Sequence, residues 1–187
     1  MNVAKRDKKT VTLGSGYVYL KEYADEVPAT KADLTALCAA DNLLGYIKGG
    51  ASLAYTQETY EEKDDLGFVS KIITTDEEAL LKLGLLTWNG ITLKSLVDRC
   101  QSSEANGLRT TKIGGAGNAQ GKYYVVCFYC PDTTDGDVWV VIVGRNTAGA
   151  TITFAKDGGT VIEPEFKAKP HDTDGTLVLF FEEIPAA

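Results

Sequence analysis

The second half of the chain alternates short apolar runs with turn residues. Strands are predicted over 122–130, 137–145, 150–155, 161–169 and 176–183. Turn chemistry separates most of them: Pro131 to Gly136, Asp157-Gly158-Gly159 and Asp172-Thr173-Asp174-Gly175. The first half is more mixed. Val11 to Tyr23 reads as an opening strand bent at Gly14-Ser15-Gly16. Thr30, with Asp33 three positions on, announces a short helix whose apolar stripe is Leu34, Leu37 and Cys38. A strand over 45–56 follows, in which Ala51, Leu53 and Tyr55 alternate with Ser52, Ala54 and Thr56, one face for a core and one for water.

The polar stretch Gln57, Glu58, Thr59, Tyr60, Glu61, Glu62, Lys63, Asp64, Asp65 has too little apolar surface to pack by itself, and extended structure resumes at Phe68 to Thr74. A long charged loop or hairpin extension therefore links two strands. Residues 76–87 fit a helix by propensity and a strand by the alternation of Ala79, Leu81, Leu83 and Leu85; the strand is preferred. Residues 88–100 carry the clearest helical signal, with Asn89 as N-cap and Leu93, Leu96, Val97 and Cys100 on one stripe; Asn106-Gly107 closes the region. The expected fold is mainly β (α+β): an antiparallel β-sandwich or barrel with one or two flanking helices, in one domain spanning 1–187.

Composition narrows the partners. With 187 residues, 44% of them hydrophobic and 24% charged, the chain can build a core. A net charge of −7 argues against a surface that grips DNA phosphates or anionic lipid. Lys5, Arg6, Lys8 and Lys9 form the only dense basic stretch, expected in a solvated N-terminal arm over 1–10. No signal peptide and no membrane-length apolar run is visible, so synthesis in a cytoplasm is expected, with Cys38, Cys100, Cys127 and Cys130 as buried free thiols.

Candidate chemistry fails on inspection, so no enzyme activity, cofactor or metal is expected. Cys127 and Cys130 match CxxC, but residues three apart on a strand point to opposite faces. The glycine run 113–118 lacks the third glycine and the following helix of a dinucleotide loop. Asp132, Asp135, Asp137, Asp172 and Asp174 lie in hairpin turns, and His171 beside Pro170 is placed in a solvated loop. Trp88 and Trp139 sit in apolar surroundings and read as core.

Two blocks carry a family resemblance. One runs Gly45-Tyr-Ile-Lys-Gly-Gly-Ala-Ser-Leu-Ala-Tyr-Thr-Gln-Glu-Thr-Tyr60, then Asp64-Asp65-Leu-Gly67 and Leu83-Gly-Leu-Leu-Thr-Trp-Asn89. The other runs Val140-Val-Ile-Val-Gly-Arg-Asn-Thr-Ala-Gly149, then Phe154-Ala-Lys-Asp157, Glu165-Phe-Lys-Ala168 and Asp174-Gly-Thr176. Together they resemble the tail tube proteins of phages and phage-like particles of Gram-positive bacteria, over roughly 45 to the C-terminus. The resemblance implies a β-sandwich with a flanking helix, hexameric rings stacked into a hollow tube, and residence in the virion tail. It implies as partners other copies of the chain, other tail proteins, and double-stranded DNA in transit, with no membrane. It also implies an inter-ring loop, by position residues 57–67; an ordered polar loop of this kind needs apolar anchors, for which Tyr60, Leu66 and Phe68 are the candidates. Ser52, Ala54 and Thr56 would face the lumen, where an acidic lining repels DNA. Two other readings stay open: a monomeric Ig-like binding module, which calls for an exposed aromatic cluster, and another ring-forming tail, baseplate or tail terminator protein.

Overall fold

The computed structural model describes residues 6, 10, 11 and 14–184. The predicted N-terminal arm therefore falls mostly outside the described residues, Lys5, Lys8 and Lys9 included. Arg6 is described and is not solvated: its guanidinium, 8% exposed, donates to the Gly136 carbonyl at 2.8 Å and pairs with Asp132 at 3.3 Å.

The fold is mainly antiparallel β with two short helices. In chain order the elements are β1 (Tyr17–Glu22), α1 (Lys31–Leu37), β2 (Leu43–Gly45), β3 (Ile47–Lys63), β4 (Ser70–Leu85), α2 (Gly90–Leu96), β5 (Cys100–Ala105), β6 (Leu108–Ile113), β7 (Tyr124–Cys130), β8 (Val138–Asn146), β9 (Glu165–Ala168) and β10 (Val178–Glu182). The main sheet runs β2-β1-β7-β8-β9-β4-β3, with β10 also paired to β8, while β5 and β6 form a separate hairpin.

Strands β7 and β8 are buried on both faces, which is why YVVCFYC and VWVVIV read as nearly unbroken apolar runs. Val126 and Ile142 join Leu81, Leu83, Leu85, Phe166 and the α2 residues Leu93 and Leu96 in one core. On the other face Val125, Cys127, Val141 and Val143 pack with Trp139 beneath Leu34 and Leu37 of α1. The result is a curled sheet closing over one core, with α1 laid on its back.

Local chemistry sets both helices. Thr30 and Asp33 form a reciprocal capping box, Asp33 accepting from the Thr30 amide at 2.9 Å. Asn89 Oδ1 accepts from the amides of Ile91 and Thr92 at 2.8 and 3.1 Å. The second helix is shorter than its apolar stripe implies: it ends at Leu96, and Cys100 opens β5. Asn106 and Gly107, both at positive φ, make the two-residue turn to β6, a hairpin where the sequence pattern showed only a terminator.

Three expectations change. Residues 150–155 are not a strand; Ala150 and Ile152 pack against the core, but the segment pairs only through an isolated Ala155–Gly158 bridge. The strand predicted over 161–169 shortens to β9. The side chain of His171 is only 2% exposed, because the 170–176 turn folds back through a His171 amide to Thr176 carbonyl bond of 3.3 Å.

Candidate functional site: a projecting hairpin arm

The stretch read as a charged loop is the distal part of a long β-hairpin. Strand β3 continues unbroken through Gln57 to Lys63, and β4 returns from Ser70. The last residue of β4 that pairs with the body is Leu80, opposite Lys167 of β9. From there to Ser70 the two strands have only each other, a projection of roughly 30 Å at about 3.3 Å per residue. From Ser70 to Glu77 on β4, and from Ser52 to Lys63 on β3, every residue is exposed, whereas Glu78 and Leu80 are half-buried and Ala79 is buried at the base.

Two irregularities shape the arm. At its root Lys48, Gly49 and Gly50 stand opposite Gly84 alone, a bulge in which both glycines take positive φ (88° and 81°). Gly84 is fixed by contact: a Cβ there would lie 2.3 Å from the Lys48 carbonyl. Further out Thr75 is the extra residue between the Glu58–Asp76 and Thr59–Thr74 pairs, its hydroxyl donating to the Glu58 carbonyl at 3.2 Å.

Side chains along the arm are ordered by short polar contacts. Tyr55 donates its hydroxyl to Glu77 at 2.8 Å and accepts from Gln57 at 2.7 Å. Tyr60 donates to Glu62, which raises the tyrosine pKa above its ordinary value. Lys63 pairs with Glu61 at 3.0 Å, and Lys167 of the body pairs with Glu78 at the root. Asp64 closes the tip, accepting from the amides of Val69 at 2.7 Å and Leu66 at 3.3 Å. These bonds, the Val69 amide above all, hold its carboxyl below the usual range. Gly67 occupies the left-handed position of that turn (φ 72°).

The tip carries apolar side chains that touch no core. Leu66, Phe68 and Val69 are 76%, 83% and 69% exposed, with Ile72 and Ile73 exposed beside them. Of the expected anchors, Leu66 and Phe68 thus cluster at the tip, whereas Tyr60 lies part-way down, opposite Ile73. Asp65 is exposed in the turn. Ser52, Ala54 and Thr56 share one exposed face, opposite Lys82, Leu80 and Glu78.

The charge is segregated. Residues 57–78 hold eight carboxylates and two lysines, so six of the seven net negative charges lie on the arm and the remainder of the chain is nearly neutral. Beside the Ser52–Ala54–Thr56 face two carboxylates are held in ion pairs, Glu78 with Lys167 and Glu165 with Lys82.

Elsewhere the aspartates of the turns bond backbone: Asp132 accepts from Thr134 and Asp135, and Asp172 from Asp174 and Thr176. The cysteines are free thiols, three buried and Cys38 half-buried. Among the described residues no three His, Cys, Asp or Glu side chains converge as metal ligands, and no helix is long and apolar enough to cross a membrane. Trp139 is core, and Trp88 is partly buried with its indole donating to the Thr160 carbonyl at 3.2 Å. Tyr17 and Tyr46 are exposed and meet edge to face at 6.4 Å.

No protein-family model matches the chain, and no curated protein matches it significantly.

Proposed function

We propose that this protein is a self-assembling structural subunit whose copies form rings that stack into a hollow tube, the phage tail tube being the assembly it fits best. The observation that carries this reading is the arm: a hairpin of roughly 30 Å, capped by three exposed apolar side chains, that no element of its own chain covers. Monomeric proteins rarely display contiguous apolar surface at the end of a projection. Such a tip is anchored when buried in a pocket of a neighbour, and a head-to-tail contact of that kind propagates by symmetry into rings or stacks. The sheet supplies a second means of joining. Strand β3 is an outer strand along its whole length, with backbone groups available for pairing with another strand.

Replacing residues 57–77 by a two-residue Asn-Gly turn, closed on the Thr56–Glu78 pair, removes the arm and keeps the core. Sedimentation of wild type and variant tests the reading. Wild type is expected to polymerise with concentration and the variant to stay small; a variant that polymerises like wild type contradicts it.

The exposed Tyr17–Tyr46 pair favours one other reading, a monomeric module that stacks a ligand ring on tyrosine. Glycan-array binding lost on Tyr46→Ala, by a protein that stays monomeric, would support that alternative.

A further inference from the structure

The body carries a strip of cations, of which Lys169 also borders a surface depression with Asp76 and Glu77 at the base of the arm. Arg145 and Lys169 share the ring of Tyr123, at 5.4 and 4.4 Å from its centroid, and Lys169 also lies 4.6 Å from the centre of Tyr23. Arg145 further lines a shallow surface depression with Lys94 and Lys122. Among the described residues Lys94, Arg145 and Lys169 form no salt bridge, while Lys122 is held by Glu22 and Asp98 is the one acid in the depression. The Tyr123 ring thus gathers two cationic heads at one place on the body, where their donors can meet an anion.

The arm has the opposite imbalance. Glu58 stands directly across the hairpin from Asp76, a like-charge pair that disfavours an isolated hairpin. Glu58 and Glu62 lie on the same face, four pairs apart along β3. Backbone pairing of the arm with the body ends at Leu80, and Asp76 and Glu77 still share a surface depression with Lys167 and Lys169; the carboxylates of Glu61, Glu62, Asp64 and Asp65 lie further out.

We infer that the strip formed by Arg145, Lys169 and Lys94 is the docking surface for the distal carboxylates of the arm of a second copy. This inference rests on the self-assembly reading and adds to it the receptor surface and the force that selects it. Nearly all the protein's net charge is on the arm, so arm–arm contacts repel and arm–body contacts attract, which makes the contact head to tail. Phosphate oxygens of DNA carry chemistry that would also suit the strip. The charge complementarity within the chain favours the arm, and DNA becomes an outcome of the test.

The experiment is trans complementation. One variant carries Glu58→Lys and Glu62→Lys; the other carries Arg145→Glu and Lys169→Glu, with Arg145→Gln and Lys169→Gln as a milder pair should the reversal unfold the protein. Critical concentrations are measured by sedimentation. Each variant alone is expected to raise the critical concentration at least about tenfold, and the equimolar mixture to restore it, because each then offers the charge the other lacks. Wild-type assembly is expected to weaken as salt rises from about 0.1 to about 1 M, over which the screening length falls from about 10 to about 3 Å. Strip variants that assemble like wild type, or a mixture no better than its components, overturn the inference and leave the assembly reading standing. Wild type that stays monomeric at every concentration overturns both. Retention of short duplex DNA by wild type, lost in the Arg145→Glu, Lys169→Glu variant, assigns the strip to phosphate and overturns the inference.

Discussion

Replacing the apolar tip by polar residues of ordinary turn character, Leu66→Ser with Phe68→Ser, separates assembly from folding. Both side chains are about three-quarters or more exposed, so in the monomer they contribute little packing. Surface substitutions of this kind usually change stability by less than about 0.5 kcal/mol, a shift in Tm of no more than about 2 °C for a chain of this size. In an assembly the same atoms would be taken out of water. Complete burial of a Leu or Phe side chain is worth about 1.5–3 kcal/mol. Scaled to the exposed fraction, the pair amounts to about 2.5–5 kcal/mol per arm contact. At 1.4 kcal/mol per factor of ten, the critical concentration should rise by roughly 50-fold to 3,000-fold. Light scattering against concentration, alongside a thermal melt of the dilute protein, measures both quantities. A critical concentration unchanged within about threefold would refute the reasoning. A Tm lowered by 10 °C or so would show that the tip packs within the monomer.

Other consequences concern the body and the turn. Asn146→Ala should cost about 2–4 kcal/mol in urea unfolding, since its buried amide donates to the Leu96 and Gly149 carbonyls and accepts from the Ala148 and Glu165 amides; less than about 1 kcal/mol would mean those bonds are replaced. Gly84→Ala should cost about 1–3 kcal/mol, because its Cβ meets the Lys48 carbonyl across the root bulge; unchanged stability would show that the bulge shifts freely. The Asp64 carboxyl is held below its ordinary value, so its turn bonds are fully present above the unfolded pKa near 4 and are lost as pH falls through the lower folded value. The Val69 and Leu66 amide resonances should move together over that acidic window and stay fixed above it. Iodoacetamide near pH 8 should label Cys38 first. A hydrogen bond from Cys127 lowers the Cys38 pKa, while the Cys38 contact raises that of Cys127 and burial raises those of Cys100 and Cys130. Equal labelling of all four would contradict this.

What could be read in the chain and what could not follows from burial. Strands β7 and β8 announce themselves because both faces are covered, and the helix starts are legible because Thr30, Asp33 and Asn89 act through bonds only a few residues long. Residues 57–63 gave no periodic signal, since a strand exposed on both faces has no apolar alternation to reveal it. The same holds for the polar strands β5 and β6, whose Asn106-Gly107 turn was the one available clue. Residues 150–155 misled in the other direction: Ala150 and Ile152 do turn inward, but no neighbouring strand accepts the segment's backbone. The burial of His171 and the gathering of Arg145 and Lys169 on Tyr123 are long-range products of sheet order. No local pattern encodes them. The segregation of negative charge onto the arm was countable from the beginning, but it acquires meaning only when 57–78 is known to project.

Electron microscopy of the purified wild-type protein, concentrated and aged, tests the central claim most directly. The account predicts hollow rods with a regular axial repeat, in which each ring is joined to the next by density from the arms. A field of separate globular particles at every concentration, with the arms' amides exchanging as they do in the dilute protein, would contradict it.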